Sequence, residues 1–101
     1  MIAPTTTGPL WPLELDAEAA PSAPGITAPR AGVLAELIAR VPGVERVSAV
    51  PHCAERFVLV RMTIAAPDLS EAVDLACAAL HRCAEAAGLG ALVLVAVRCA
   101  R

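Results

Sequence analysis

From residue 30 onward the apolar positions fall into runs with clear periods. In "RAGVLAELIARV" (30–41) Val33, Leu37 and Val41, joined by Leu34 and Ile38, recur every three or four residues, which predicts a helix. Glu36 and Arg40 add an i,i+4 pair in the favourable order, and Pro42–Gly43 ends the run. "VERVSAV" (44–50) reads as a strand, Pro51–Arg56 as a turn and "FVLVRMTI" (57–64) as a second strand, together a hairpin. Asp68 and Glu71 then form a D-x-x-E capping pattern after Pro67. The helix they open turns Leu69, Val73, Ala76, Leu80, Ala84 and Ala87 inward and closes at Gly88. "ALVLVAVRC" (91–99) is the last strand.

Before residue 30 the pattern breaks. Residues 1–29 hold six of the nine prolines together with Thr5, Thr6, Thr7, Ser22 and Gly25, the composition of a mostly disordered tail. One apolar island, residues 10–16, interrupts it: Trp11, Leu13 and Leu15 alternate with Pro12, Glu14 and Asp16. Period 2 makes it a short strand, and Pro12 limits that strand to an edge or to its first residues. The expected domain, residues 30–101, is therefore αββαβ, or βαββαβ if the island supplies an N-terminal edge strand. Either order is the ferredoxin-like α+β plan, an antiparallel sheet with two helices on one face.

The strand faces then predict an interface. Val58, Val60, Met62 and Ile64 should meet the helices, leaving Phe57, Leu59, Arg61 and Thr63 on the far side. In the last strand Leu92, Leu94 and Ala96 alternate with Val93, Val95 and Val97, so both faces are apolar, as in a strand covered on both sides. The expected cover is a second copy of the chain or the tail folded back. Phe57, Leu59, Val93, Val95 and Trp11 are the expected contact residues, and a homodimer is the expected partner state.

Composition narrows the chemistry. The apolar fraction is 57%, the only aromatics are Phe57 and Trp11, and Lys, Tyr, Asn and Gln are absent. A lysine Schiff base, a tyrosine acid and an Asn or Gln oxyanion donor are therefore excluded. The net charge of −2 divides into −3 over residues 1–29 (Glu14, Asp16, Glu18) and +1 over residues 30–101, eight Arg against seven acids. Neither part carries a concentrated basic stripe, so nucleic acid is not an expected partner. The longest apolar run, residues 86–97, is short of the roughly 20 residues that span a bilayer, so membrane insertion is not expected. The first residues have no signal-peptide pattern, which points to the cytoplasm and to reduced thiols. Cys53, Cys77, Cys83 and Cys99 contain no C-x-x-C.

"APRAGVLAELIARVPGVERVSAV" resembles the first loop, helix and strand of ACT-type regulatory domains. That resemblance implies a small-ligand site at the turn of Arg30 and Gly32. The same region, with "PGV" before a strand and "PDLS" before the second helix, also resembles the cytoplasmic C-terminal domain of cation-diffusion-facilitator transporters. The His positions of that family are here Ser48, Ala72 or Val73, and Val97, so its metal chemistry is not carried over. Both resemblances span about residues 28–99 and are fold-level.

The remaining candidate chemistry is His and Cys. On a helix Cys77 and His81 are i,i+4 neighbours that could share an ion, with His52 and Cys53 as further ligands from the hairpin turn. Against this, Cys77 lies beside the apolar stripe, where buried cysteines act as small hydrophobes, and Cys83 is about 120° away around the helix. No metal site and no cofactor is therefore the expectation, and no catalytic residue is assigned. Three functions fit: a non-enzymatic regulatory or assembly module acting as a homo-oligomer, a metal- or redox-responsive Cys/His protein, or a small dimeric enzyme with a pocket on the sheet face. The first is expected, because the open face as read above offers no His or carboxylate.

Overall fold

The computed structural model describes residues 8–21 and 23–100. Six elements follow in order: β1 (Leu10–Ala19), α1 (Ala28–Ala39), β2 (Val44–His52), β3 (Phe57–Ala65), α2 (Leu69–Ala86) and β4 (Leu92–Cys99). The strands form one antiparallel sheet in the order β2-β3-β1-β4, and both helices pack on one of its faces. This is the ferredoxin-like plan in its six-element form.

The largest departure from expectation is β1. It is a ten-residue strand hydrogen-bonded to β3 on one side and β4 on the other, so it is central and not an edge. The domain thus begins well before residue 30, and of the expected tail residues 1–7 and Ser22 lie outside the described part. Pro12 is tolerated because an extended residue points its N and its C=O the same way. Its carbonyl accepts from the Ala100 N–H at 2.8 Å, so its missing donor faces β4 only where that strand ends. Alternation does the rest. Leu13, Leu15, Ala17 and Ala19 are buried under the helices, and Glu14, Asp16 and Glu18 occupy the other face.

Trp11 follows the odd-numbered set. It packs against the core on the helix side, and its indole N–H donates to the Ala66 carbonyl at 3.0 Å. It therefore does not share a face with Phe57 and Leu59, and β1 is not a cover laid over that face. β4 brings a second correction. Asp16 faces Ala96 but Ala17 faces Leu94, so Val95 is an extra, bulged residue. The bulge resets the alternation: Leu92, Leu94, Val97 and Cys99 line the helix side, and Val93, Ala96 and Arg98 the open side. Val97, expected outside, is inside, and Ala96 the reverse.

The helices sit slightly off their expected stripes. α1 starts at Ala28 because the Thr27 hydroxyl caps the Arg30 N–H at 3.3 Å and Pro29 fits the first turn. Its buried residues are Ala31, Leu34 and Ile38, and Val33 is exposed. In α2 the Asp68 carboxylate accepts from the Glu71 N–H at 2.8 Å, as the capping pattern requires. Ala72, Ala76, Ala79, Leu80, Cys83 and Ala84 are buried, while Leu69 is exposed. Two loop residues without a periodic signal, Ile26 and Leu89, are fully buried and plug the core between elements.

Candidate functional site

The open face of the sheet reads as rows running from β2 across β3 and β1 to β4. One end row is His52, Phe57, Glu18 and Val93; the next is Val50, Leu59, Asp16 and Ala96; a third is Ser48, Arg61, Glu14 and Arg98. The first two rows carry most of the apolar surface. Val50 is 54% exposed and Val93 58%, with Phe57 and Leu59 half-buried between them, and the bulged Val95, outside the rows, is 54% exposed. The central strand contributes three carboxylates at alternate positions, so this face does hold acid–base groups. The expectation that it lacks them is corrected, and its cause was the displacement of β1 into the tail.

Each of these carboxylates has a cationic or imidazole neighbour. Glu14 accepts from Arg61 Nε at 2.8 Å and has Arg98 Nε at 3.6 Å. The Arg61 hydrogen bond, helped by the charges of Arg61 and Arg98, holds the Glu14 carboxyl below its ordinary value. Glu18 pairs with Arg56 at 3.0 Å. Asp16 meets His52, whose Nε2 lies 3.0 Å from its Oδ1.

His52 is the pivot of the site. β2 runs on to His52, two residues beyond the expected strand end, so this side chain stands on a strand and not in a loop. Pro51 causes no break because β2 is an edge strand. The imidazole lies over Phe57, with ring centroids 5.4 Å apart and planes 24° from parallel, and so reaches across β3 to Asp16. Its other nitrogen, Nδ1, is 3.2 Å from Cys53 Sγ. Cys53, His52 and Asp16 thus form a continuous chain of contacts along one end of the open face.

The turn that presents Cys53 is strained. Cys53, Ala54 and Glu55 all have positive φ, at 54°, 55° and 65°, in a stretch without glycine. Such a conformation costs each residue about 1 kcal/mol or more and persists where surrounding bonds dictate it. Here the Arg56 carbonyl accepts from Ala19 N–H and the Glu55 carbonyl from Ile26 N–H, both at 2.8 Å, while the Cys53 carbonyl accepts from Arg56 N–H at 3.1 Å. The end of β1 and the loop before α1 therefore clamp the turn.

The other expected site residues do not join this cluster. Cys77 packs half-buried against the core from α2, and His81 is exposed on the same helix, in the layer opposite the open face. Among the described residues no group of three or more His, Cys, Asp or Glu is placed to hold a metal ion. Burial, reinforced by the charge of Asp74, pushes the Cys77 thiol up. Burial also pushes up Cys83, against a smaller opposite effect from Arg82. Arg30 and Gly32 lie inside the first turns of α1. The Arg30 guanidinium donates to the Gly88 carbonyl at 3.3 Å, tying the start of α1 to the end of α2, and Gly32 faces open space. Among the described residues no helix is long and apolar enough to cross a membrane. No protein-family model matches the chain, and no curated protein matches it.

Proposed function

We propose that the chain is a non-enzymatic assembly or regulatory module that associates with a second copy of itself through the open sheet face. The observation that carries this reading is the exposure of Val50 and Val93 on the face of the sheet opposite both helices, with the bulged Val95 exposed on the same edge strand as Val93. A Val, Leu or Phe side chain gains roughly 1.5–3 kcal/mol on full burial, so Val50, Leu59, Phe57, Val93 and Val95 together would supply several kcal/mol to an interface. The carboxylates do not oppose it strongly. Glu14 and Glu18 already face arginines, and an ion pair enters an interface at less cost than a bare charge. Trp11 is no part of the contact. The compartment under this reading is the cytoplasm, whose reducing poise favours free thiols.

Sedimentation of the full chain over a range of concentrations tests the proposal. A dimer is expected, converted to folded monomer by Val93→Glu, since that charge would enter the contact without a partner. A full chain that stays monomeric at the highest soluble concentration would refute it.

A further inference from the structure

We propose that Cys53 is a thiol-exchange site that forms a mixed disulfide with small-molecule disulfides, His52 taking its proton and Asp16 positioning His52. The arrangement has the parts an activated nucleophile needs: a thiol, a base within hydrogen-bond reach, and a third group that orients the base. An ionised carboxylate can only accept a hydrogen bond, so the Asp16 contact at 3.0 Å places the ring proton on Nε2. In the neutral imidazole that leaves the Nδ1 lone pair directed at Cys53 Sγ, 3.2 Å away. The acceptor faces the thiol because the acid holds the other nitrogen. Phe57 supports the ring from beneath, and the clamped turn keeps the exposed sulfur at the corner of the face.

The Sγ–H proton passes to Nδ1, and the thiolate attacks one sulfur of the disulfide. A new S–S bond forms as the old one breaks, and the electron pair leaves on the departing thiolate. That thiolate takes up the proton from the imidazolium or from water. Cys53 is oxidised, and half of the small disulfide is reduced to a thiol. The chain offers a contrast within itself, because Cys77 and Cys83 on α2 have no imidazole contact of this kind and burial pushes their thiols up. The charged groups around the pair are Asp16 and Glu18 on β1, Glu55 and Arg56 in the turn and Arg61 on β3. Arg56 and Arg61 are engaged by Glu18 and Glu14.

The probe is glutathione disulfide, incubated with the full chain at neutral pH and read by intact mass and peptide mapping. Cys53 should form its adduct first, roughly tenfold or more faster than a short peptide of residues 50–56, which keeps the neighbouring His but lacks Asp16 and the clamped turn. His52→Phe preserves the stack on Phe57 while removing the base, and should bring the rate down to the peptide's. Asp16→Asn should slow exchange several-fold and shift its pH profile, a change that a purely structural role for Asp16 would not produce in a variant with unchanged circular dichroism. Exchange at Cys53 no faster than in the peptide, or a His52→Phe rate equal to the parent's, would overturn the proposal. The association proposed above is read separately by sedimentation, so either idea can fail alone.

Discussion

The two sides of strand β1 differ sharply, though they share one backbone. On one side Leu13, Leu15 and Ala17 are at most 1% exposed and meet both helices' layer. On the other, Glu14, Asp16 and Glu18 are held by Arg61, His52 and Arg56. Stability resides in the first set, because transfer of apolar side chains from water is the dominant favourable term in folding. The proposed thiol exchange draws on the second, where partly exposed polar contacts add little to folding but fix the position of an imidazole. A central strand is thus a core element and a site element at once, and substitution on its two sides should separate the roles.

The largest expected effect tests that separation directly. Leu15→Ala should cost about 2–5 kcal/mol in urea unfolding, since a fully buried Leu leaves a cavity. Asp16→Ala, one residue away, should cost less than about 1 kcal/mol. Equal losses would mean that the two sides do not divide as described. A smaller effect sharpens the comparison at β4, where the bulge at Val95 decides which valine is inside. Val97→Ala should cost about 1 kcal/mol and Val95→Ala should stay within roughly 0.5 kcal/mol of zero. A strand without the bulge would give the reverse order.

Most of the fold was legible from periodicity: both helices, the hairpin, β4 and the Asp68 cap each had a local signal. The carboxylate row was legible too, since the alternation in "LWPLELD" continues through Ala17, Glu18 and Ala19. It was obscured by the prolines around it, because proline density signals a tail only when the chain makes no ladder, and Pro12 gives up a donor just where β4 ends. The bulge had no signal, as register depends on two strands and neither sequence alone records it. The chain of contacts from Cys53 to Asp16 joins residues far apart in sequence and depends on β2 continuing through Pro51, which a single proline hides.

The thiols extend the comparison from the sheet to the helix layer. Timed alkylation at neutral pH should label Cys53 first, because it is exposed at a turn, and Cys77 and Cys83 much later, because burial disfavours their thiolates. Labelling of Cys77 before Cys53 would mean that the inner side of α2 has been assigned wrongly.

The smallest expected effect concerns Glu14, whose carboxyl is held below its ordinary value of 4.5, chiefly by the Arg61 hydrogen bond. A group with a depressed value in the folded state favours folding above its unfolded value and loses that contribution as pH falls through the folded one. The pair's contribution is therefore complete near neutral pH, begins to fade at about 4.5 and is gone once Glu14 is protonated in the fold. Glu14→Gln keeps the shape but not the charge, so the variant should unfold at a slightly lower urea concentration than the parent at neutral pH. The two curves should converge in acid, where the parent has lost the same interaction. The gap should be small, since solvent reaches both arginines and screens the pair. Parallel curves that keep a constant separation through the acid range would assign the difference to packing, and a variant indistinguishable from the parent throughout would show that the Glu14 pairs add nothing to folding and serve only to neutralise the open side of β1.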